Sequence, residues 1–247
     1  MKHQSIVILT GAGISRDSGL HTFRDPDGIW ASVRIEDVAT PAAFARNPAL
    51  VHEFYNARRL GLKDPSLTPN AAHLALTRLQ SAWPGRFMLV TQNVDDLHER
   101  AATRDVLHMH GQLNKARCIH CESVMDWLED LSTSLACPRC ARQGGLRPDI
   151  VWFGEMPKHM AMIEAALKDC DLFIAIGTSG NVYPAAGFVA QVRNHAQTVE
   201  LTLEPSEVAT MFGHARYGRA IDIVPCYVNE LLEQHPIRLN RRFNLIG

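Results

Sequence analysis

The sequence has no long hydrophobic run and almost no net charge, and both absences restrict what the protein can do. No apolar run reaches the roughly 18 residues of a membrane-spanning helix, so we expect none. The 25 basic and 26 acidic residues leave a formal charge of −1. That balance argues against bulk nucleic-acid binding and against a polybasic membrane tether. The apolar run at residues 6–9 is too short for a signal peptide, so we expect a cytoplasmic protein.

Cysteine is scarce, and its spacing indicates a metal site. Four of the six cysteines form two C-x2-C pairs with fifteen residues between them, which favours one structural zinc held by four thiolates. The predicted ligands are Cys118, Cys121, Cys137 and Cys140. A nucleic-acid-binding ribbon is the alternative, but residues 122–136 are acidic rather than basic. Cys170 and Cys226 are predicted to be small core residues.

Short apolar runs alternate with helix-like segments along most of the chain. The predicted buried strands are residues 5–10, 86–93, 171–179, 198–205 and 220–225. The predicted helices between them include residues 69–80, 160–169 and 183–195. This alternation is typical of a parallel sheet with right-handed crossovers. We therefore expect an α/β fold, with a Rossmann-like parallel-sheet domain and a smaller inserted helical and zinc-ribbon domain.

Two regions interrupt the alternation and predict the domain boundaries. Residues 25–68 contain four prolines and no strong strand run, and the cysteine pairs lie within residues 112–150. We predict that these insertions pack together. The smaller domain would comprise residues 31–68 and 112–150. The larger domain would comprise residues 1–30, 69–111 and 151–247.

A glycine-rich turn follows the first predicted strand. Gly11 and Gly13 would let the backbone turn tightly and approach a pyrophosphate. The match to G-x-G-x-x-G is incomplete, because Arg16 stands at the third glycine position. No acidic residue stands at a convincing ribose position about 20 residues on, which disfavours an ordinary dehydrogenase. By itself, the turn fits a nucleotide site and a purely structural turn about equally well.

The glycine-rich turn belongs to the first of six motifs that occur in a fixed order along the chain. They are "GAGISRDSGLHTFRDPDGIW" (11–30), "TQNVDD" (91–96), "HMHGQL" (108–113), "RPDIVWFGE" (147–155), "GTSGNVYPAA" (177–186) and "LTLEPS" (201–206). In this order they resemble the motifs of the sirtuins, which are NAD-dependent protein deacylases. The resemblance spans roughly residues 5–225. It implies transfer of an acyl group from a protein lysine to ADP-ribose, with nicotinamide and O-acyl-ADP-ribose as products.

The resemblance also assigns cofactor and catalytic residues. Those implied to contact NAD are Gly11, Ala12, Gly13, Phe23, Arg24, Gln92, Asn93, Asp95, Gly177, Thr178, Ser179, Thr202, Leu203, Glu204 and Ala220. Thr202 departs from the family, which commonly has asparagine there, and this puts the adenosine ribose contact in doubt. His110 is the implied general base, with Asn93 as the second catalytic residue. A neutral imidazole can accept a ribose hydroxyl proton near neutral pH. His108 is predicted to be a structural neighbour.

Substrate residues are implied in two places. Residues 152–155 (Trp152, Phe153, Gly154 and Glu155) should form an extended edge that pairs with the substrate peptide, and Val151 before them is also an implied substrate residue. Tyr55 and Arg58 match the Tyr-x-x-Arg pattern of the sirtuin class that prefers dicarboxylic acyl groups, and Ala39 matches its small pocket residue. Because a buried arginine needs a partner, a succinyl, malonyl or glutaryl carboxylate would suit Arg58. The alternative is an arginine that covers apolar surface with its stem.

Other functions stay open on the sequence. The nearest resemblance is to bacterial class III sirtuins of the desuccinylase and demalonylase type. A deacetylase without dicarboxyl preference, a mono-ADP-ribosyltransferase and an NAD-responsive binding module are the alternatives. The expected partners are acyl-lysine proteins, with no membrane and no nucleic acid, and the expected state is a monomer.

Overall fold

The computed structural model describes residues 3–20 and 33–235. The strands in these residues are β1 (Ser5–Thr10), β2 (Arg86–Thr91), β3 (Leu107–His108), β4 (Gly111–Cys118), β5 (Val124–Asp126), β6 (Leu146–Ile150), β7 (Leu172–Ile176), β8 (Gln197–Thr202) and β9 (His214–Tyr217). The α-helices are α1 (Ile35–Val38), α2 (Pro41–Arg46), α3 (Pro48–Gly61), α4 (Ala71–Ala82), α5 (Leu97–Arg100), α6 (Met160–Asp169), α7 (Phe188–Val192) and α8 (Ala220–Gln234). Within these ranges, no helix combines the length and apolarity required to cross a bilayer.

Six strands form one parallel sheet in the order β3-β2-β1-β7-β8-β9. β1 is buried at every position because both faces of the sheet are covered. Ile6 and Ile8 pack into a core with α4 and α8, and Val7 and Leu9 pack into a second core with α6 and α7. Alternate side chains of a strand point to opposite faces, so one short strand supplies both cores. The predicted Rossmann-like α/β class is confirmed.

A second, antiparallel sheet has the order β5-β4-β6. Its apolar residues Leu113 and Ile150 share a core with Val38 of α1 and Val51 of α3. The helices α2 and α3 each begin at a proline that follows a capping residue. The Thr40 side chain caps α2 by accepting a backbone N–H at 3.0 Å, and the Asn47 side chain caps α3 in the same way at 3.2 Å. This packing carries α3 against the smaller sheet and beside the edge of the main sheet.

The predicted strand at residues 220–225 is wrong. These residues form the first turns of α8, with Asp222 in the first turn and Pro225 inside the helix. The six-residue run is compatible with a buried strand, but buried residues recur at helical spacing over the longer segment, at Ala220, Val224, Val228 and Leu231. The parallel edge strand is β9 instead, which precedes the helix.

Candidate functional site

One cavity of about 1530 Å³ lies at the carboxyl ends of β1, β2, β7 and β8 and extends to α3 and the end of β6. Ligands bind at this edge in open parallel sheets because loops from several strands meet there. The cavity is lined by every predicted cofactor, catalytic and substrate residue within the described ranges. Phe23 and Arg24 lie outside the described residues. The sequence motifs, which are far apart along the chain, therefore meet at one site.

The two glycine-containing turns touch each other at the floor of the cavity. The Gly13 N–H donates to the Gly177 carbonyl at 2.9 Å. A Cβ at Gly13 would lie 2.7 Å from the Gly177 Cα, and Gly177 has φ +61°. Side chains would therefore force the turns apart, so glycine is required here for close packing as well as for any approach to phosphate. The residues around this turn leave a wall of backbone that suits a dinucleotide.

Asn93 and Asp95 are joined through a serine that sequence reasoning missed. The Asn93 amide donates to the Ser15 hydroxyl at 3.1 Å and to the Gly11 carbonyl at 3.2 Å. Ser15 in turn donates to the Asp95 carboxylate at 3.2 Å. Burial raises the pKa of Asp95, and hydrogen bonds from Leu97 and Ser15 oppose that rise. Ser15 belongs to the quoted glycine motif, so the available signal was its position two residues after Gly13.

His110 is held in one tautomer by the backbone. Its Nδ1 lies 3.1 Å from the Gln92 carbonyl, which can only accept, so Nδ1 carries the proton. Burial lowers the pKa of His110 below 6.5, although the Gln92 contact raises it. The ring is therefore neutral at neutral pH, and Nε2 carries a lone pair. A buried imidazole in this state can accept a proton from a hydroxyl.

His108 faces away from that chemistry. Its Nδ1 donates to the Asn93 carbonyl at 3.1 Å, and its Nε2 lies 2.6 Å from the Glu99 carboxylate. It is almost fully buried and does not line the cavity, and β3 ends at His108, so the alternation of a strand does not continue to His110. These internal contacts support a structural part for His108, although it does not share the cavity face of His110.

α3 presents Tyr55 and Arg58 to the cavity. The Arg58 guanidinium carbon lies 5.8 Å from the Tyr55 ring centre and 5.7 Å from that of Phe54. Burial lowers the pKa of Arg58 from 12.5, and electrostatic interactions with the ionised forms of Tyr55 and Asp95 oppose this shift. Ala39 lines the same cavity and is almost fully buried.

The neighbouring Arg59 has a different environment. It lies away from the cavity, where Nε donates to the Leu113 carbonyl at 2.8 Å and Nη1 donates to Asn56 at 2.9 Å. The contact with Leu113 ties α3 to β4 of the smaller sheet, and the contact with Asn56 stays within the helix. Successive helical residues lie about 100° apart around the axis, so two adjacent arginines serve two different surfaces.

The four paired cysteines form one cluster with their sulfur atoms all within 4.8 Å of one another. The Cys118–Cys140 and Cys121–Cys137 sulfur pairs are each 3.8 Å apart. Zinc–sulfur bonds of about 2.3 Å give tetrahedral edges of about 3.8 Å, so the cluster fits one zinc ion. The His120 and Arg139 N–H groups lie 3.4 Å from the Cys118 and Cys137 sulfurs, which stabilises thiolates.

Comparisons with known proteins agree with this geometry. A profile of the Sir2 family matches residues 11–184. The chain is a sirtuin. Its sequence is 56% identical over 230 residues, 93% of this chain and 97% of the relative, to a Bdellovibrio bacteriovorus protein named NAD-dependent protein deacylase.

Solved structures of other sirtuins have the same fold. A Sir2 homologue in complex with NAD matches with a TM-score of 0.84 and 33% identity, over 94% of this chain and 91% of that chain. A mutant Sir2 homologue in complex with 2′-O-acetyl-ADP-ribose matches with a TM-score of 0.85 and 32% identity, over 97% and 96%.

The predicted extended edge at residues 152–155 is a turn in this sirtuin, whereas its pairing with a substrate peptide stays a prediction. β6 ends at Ile150, and the following residues form a turn in which Gly154 has φ +89°. The Phe153 N–H donates to the Ala39 carbonyl at 3.0 Å. The Glu155 carboxylate accepts from Arg147 at 2.6 Å, so this predicted substrate residue is engaged within the chain. Sequence alone could not reveal these internal partners.

Thr202 and Cys226 also have environments that the sequence did not predict. The Thr202 hydroxyl donates to the Glu204 carbonyl at 2.7 Å, which holds the turn after β8 in this sirtuin. Cys226 is exposed on α8, so its predicted place in the core is wrong, whereas Cys170 is buried as predicted. Apolar residues stand on both sides of Cys226 in the sequence, but its position around the axis of α8 directs the thiol to the surface.

Proposed function

We propose that the protein is an NAD-dependent protein-lysine deacylase that yields free lysine, nicotinamide and O-acyl-ADP-ribose. The observation that carries this proposal is the single cavity that joins the glycine turns, the neutral imidazole of His110 and the α3 residues. At about 1530 Å³ it exceeds the roughly 300–1,000 Å³ of ordinary small-molecule sites. Such a volume suits a dinucleotide together with an acyl-lysine side chain.

The residues divide the work between binding and proton transfer. The turns at Gly11–Gly13 and Gly177–Ser179 would hold the phosphates and riboses of NAD, and Asn93 and Asp95 would hold the nicotinamide end. NAD supplies the ribose that accepts the acyl group and the nicotinamide that leaves. His110 Nε2 would accept the proton of a ribose hydroxyl, because Nδ1–H is already committed to Gln92. The contact with Gln92 keeps the ring aimed and in the correct tautomer.

Product analysis tests this function directly. We expect that incubation with NAD and an acyl-lysine peptide gives deacylated peptide and O-acyl-ADP-ribose in equal amounts, measured by mass spectrometry. A protein that gains the mass of ADP-ribose would instead indicate a mono-ADP-ribosyltransferase. NAD binding without turnover would indicate a binding module.

The acyl specificity is a further part of the proposal: the preferred acyl group ends in a carboxylate. Arg58 lies at the cavity with two aromatic neighbours, and burial disfavours its charge. A carboxylate at the end of a succinyl, malonyl or glutaryl chain would offer Arg58 a charge-assisted contact in the cavity. Acetyl-lysine is smaller and still enters, so deacetylation remains as the slower reaction.

We expect Arg58→Met to lose desuccinylation selectively. Loss of a desolvated charge-assisted contact costs about 2–4 kcal/mol, which is a fall of roughly 30- to 900-fold in kcat/KM on succinyl-lysine peptide. The measurement compares succinyl- and acetyl-lysine peptides with identical flanks. Arg193→Met is the matched control, since Arg193 is exposed and outside the cavity. Equal losses on both peptides would refute selectivity through Arg58.

We also propose the predicted division into two domains, with residues 1–30, 69–111 and 151–247 in the larger and residues 31–68 and 112–150 in the smaller. The core shared by α1, α3 and the smaller sheet supports it. A cytoplasmic location is supported by the six cysteines, none of which forms a disulfide, as expected in a reducing compartment. The monomeric state stays a prediction, and light scattering tests it.

A further inference from the structure

Trp152 has a contact that its predicted place in a peptide-binding edge does not explain. The indole Nε1–H donates to the Tyr55 hydroxyl at 3.0 Å, between residues 97 positions apart. Tyr55 and Trp152 are 1% and 2% exposed, and both side chains line the cavity. The contact therefore lies in a desolvated environment, where the direction of each hydrogen bond matters.

The indole of Trp152 determines the hydrogen-bonding role of the Tyr55 hydroxyl. An indole N–H can only donate, so the Tyr55 oxygen must accept from it. The hydroxyl proton is then left for a different acceptor, and within residues 3–20 and 33–235 the indole is the partner of this hydroxyl. Burial also raises the pKa of Tyr55 above 10.0, so the hydroxyl keeps its proton at neutral pH.

Trp152 is itself held in place by Arg147, Glu155 and Phe44. The Arg147 guanidinium carbon lies 3.3 Å from the centre of the Trp152 rings. Arg147 makes two hydrogen bonds to the Glu155 carboxylate, at 2.6 and 2.9 Å. Glu155 also accepts the Trp152 backbone N–H at 2.8 Å, and Phe44 packs on the rings with centres 5.4 Å apart. The indole N–H therefore has one direction available, which is toward Tyr55.

We infer that Trp152 is a specificity-determining positioning residue, which acts through Tyr55 by turning its hydroxyl into a donor toward the acyl group. This rests on the proposed deacylase function and its carboxylate preference. A carboxylate only accepts hydrogen bonds, so it matches a hydroxyl donor beside Arg58. The methyl group of an acetyl chain gains nothing from that donor. The clamp of Glu155 and Arg147 on Trp152 thus contributes to acyl selectivity without touching the acyl group.

The test is the ratio of kcat/KM on succinyl-lysine to that on acetyl-lysine peptide in Trp152→Phe. This change keeps an aromatic ring and removes the N–H. We expect the ratio to fall about tenfold, the size of one hydrogen bond at the upper end of its usual range. The ratio is the readout because lower stability or weaker peptide binding lowers both rates. Trp83→Phe is the matched control, since Trp83 is also buried but its indole nitrogen has no partner among the described residues.

A double-mutant cycle shows whether Trp152 acts through Tyr55. In a Tyr55→Phe background we expect Trp152→Phe to change the ratio by less than about twofold, because the coupled group is absent. An equal fall in both backgrounds would overturn the inference. If Trp152→Phe does not fold, β-(3-benzothienyl)alanine at position 152 carries the same test, since sulfur replaces the N–H and the ring shape is kept.

The carboxylate preference and the role of Trp152 can fail separately. A wild-type enzyme with no succinyl preference, unchanged by Arg58→Met, would remove the carboxylate proposal and this inference with it. A succinyl preference that Arg58→Met abolishes, but that loss of the indole N–H leaves unchanged, would overturn the inference alone.

Discussion

Replacement of His110 by alanine is expected to remove nearly all turnover while the fold is kept. General bases contribute roughly 10²–10⁴-fold to rate, so we expect a loss of kcat in that range on every acyl peptide. The side chain is partly buried, and among residues 3–20 and 33–235 its one hydrogen bond is to the Gln92 carbonyl. Its removal should therefore change the melting temperature little. Steady-state kinetics and thermal unfolding of the same preparation measure both effects.

The pH profile gives His110 a second signature. Burial lowers its pKa below 6.5, and a base must be unprotonated to act. Wild-type kcat/KM should therefore fall only as the pH drops below 6.5, through the lowered pKa, and stay level above it. His214→Ala serves as the control, since His214 is exposed on β9 and lies outside the cavity. Near-normal deacylation by His110→Ala would contradict the assignment of His110 as the general base.

Removal of zinc is expected to unfold the part of the chain around the four cysteines. Cys118 and Cys137 belong to a small core with Ala116, Leu131 and Leu146, which is too small to be stable without help. Structural zinc contributes roughly 10–16 kcal/mol in small zinc domains, as much as the whole stability of many proteins. We expect one zinc per chain by elemental analysis, and a strong fall in melting temperature after chelation or in Cys137→Ser.

The same treatment should lower activity, although the metal is not at the cavity. Leu131 and Asn56 exchange two hydrogen bonds, with the Leu131 N–H donating at 2.8 Å and the Leu131 carbonyl accepting at 2.9 Å. Asn56 lies on α3 between Tyr55 and Arg58, so loss of the metal loosens the helix that carries them. Cys226→Ser is the control, because this exposed cysteine is outside the cluster. Native protein that contains no zinc would contradict the site.

Much of the fold and the site follows from local patterns. A short apolar run before a glycine turn, as at residues 5–10, favours a buried strand, and C-x2-C pairs predict a metal site because sulfur geometry is the same in any fold. Residues 220–225 misled because so short, largely apolar a run fits a strand and a helix equally well, and the helical period emerges only over fifteen residues. Residues 152–155 misled because their hydrogen-bond partners, Ala39 and Arg147, come from elsewhere in the chain.

The sequence by itself determined the class of the protein: an α/β sheet, four metal-ligating cysteines, and an ordered set of motifs that places it among the sirtuins. Those features are carried by residue type and by spacing along the chain. Only the tertiary structure decided the directions of contacts, such as the tautomer of His110, the division of labour between Arg58 and Arg59, and the donor that Trp152 gives to Tyr55. The physical reason is that a hydrogen bond between residues 97 positions apart exists only once both are packed.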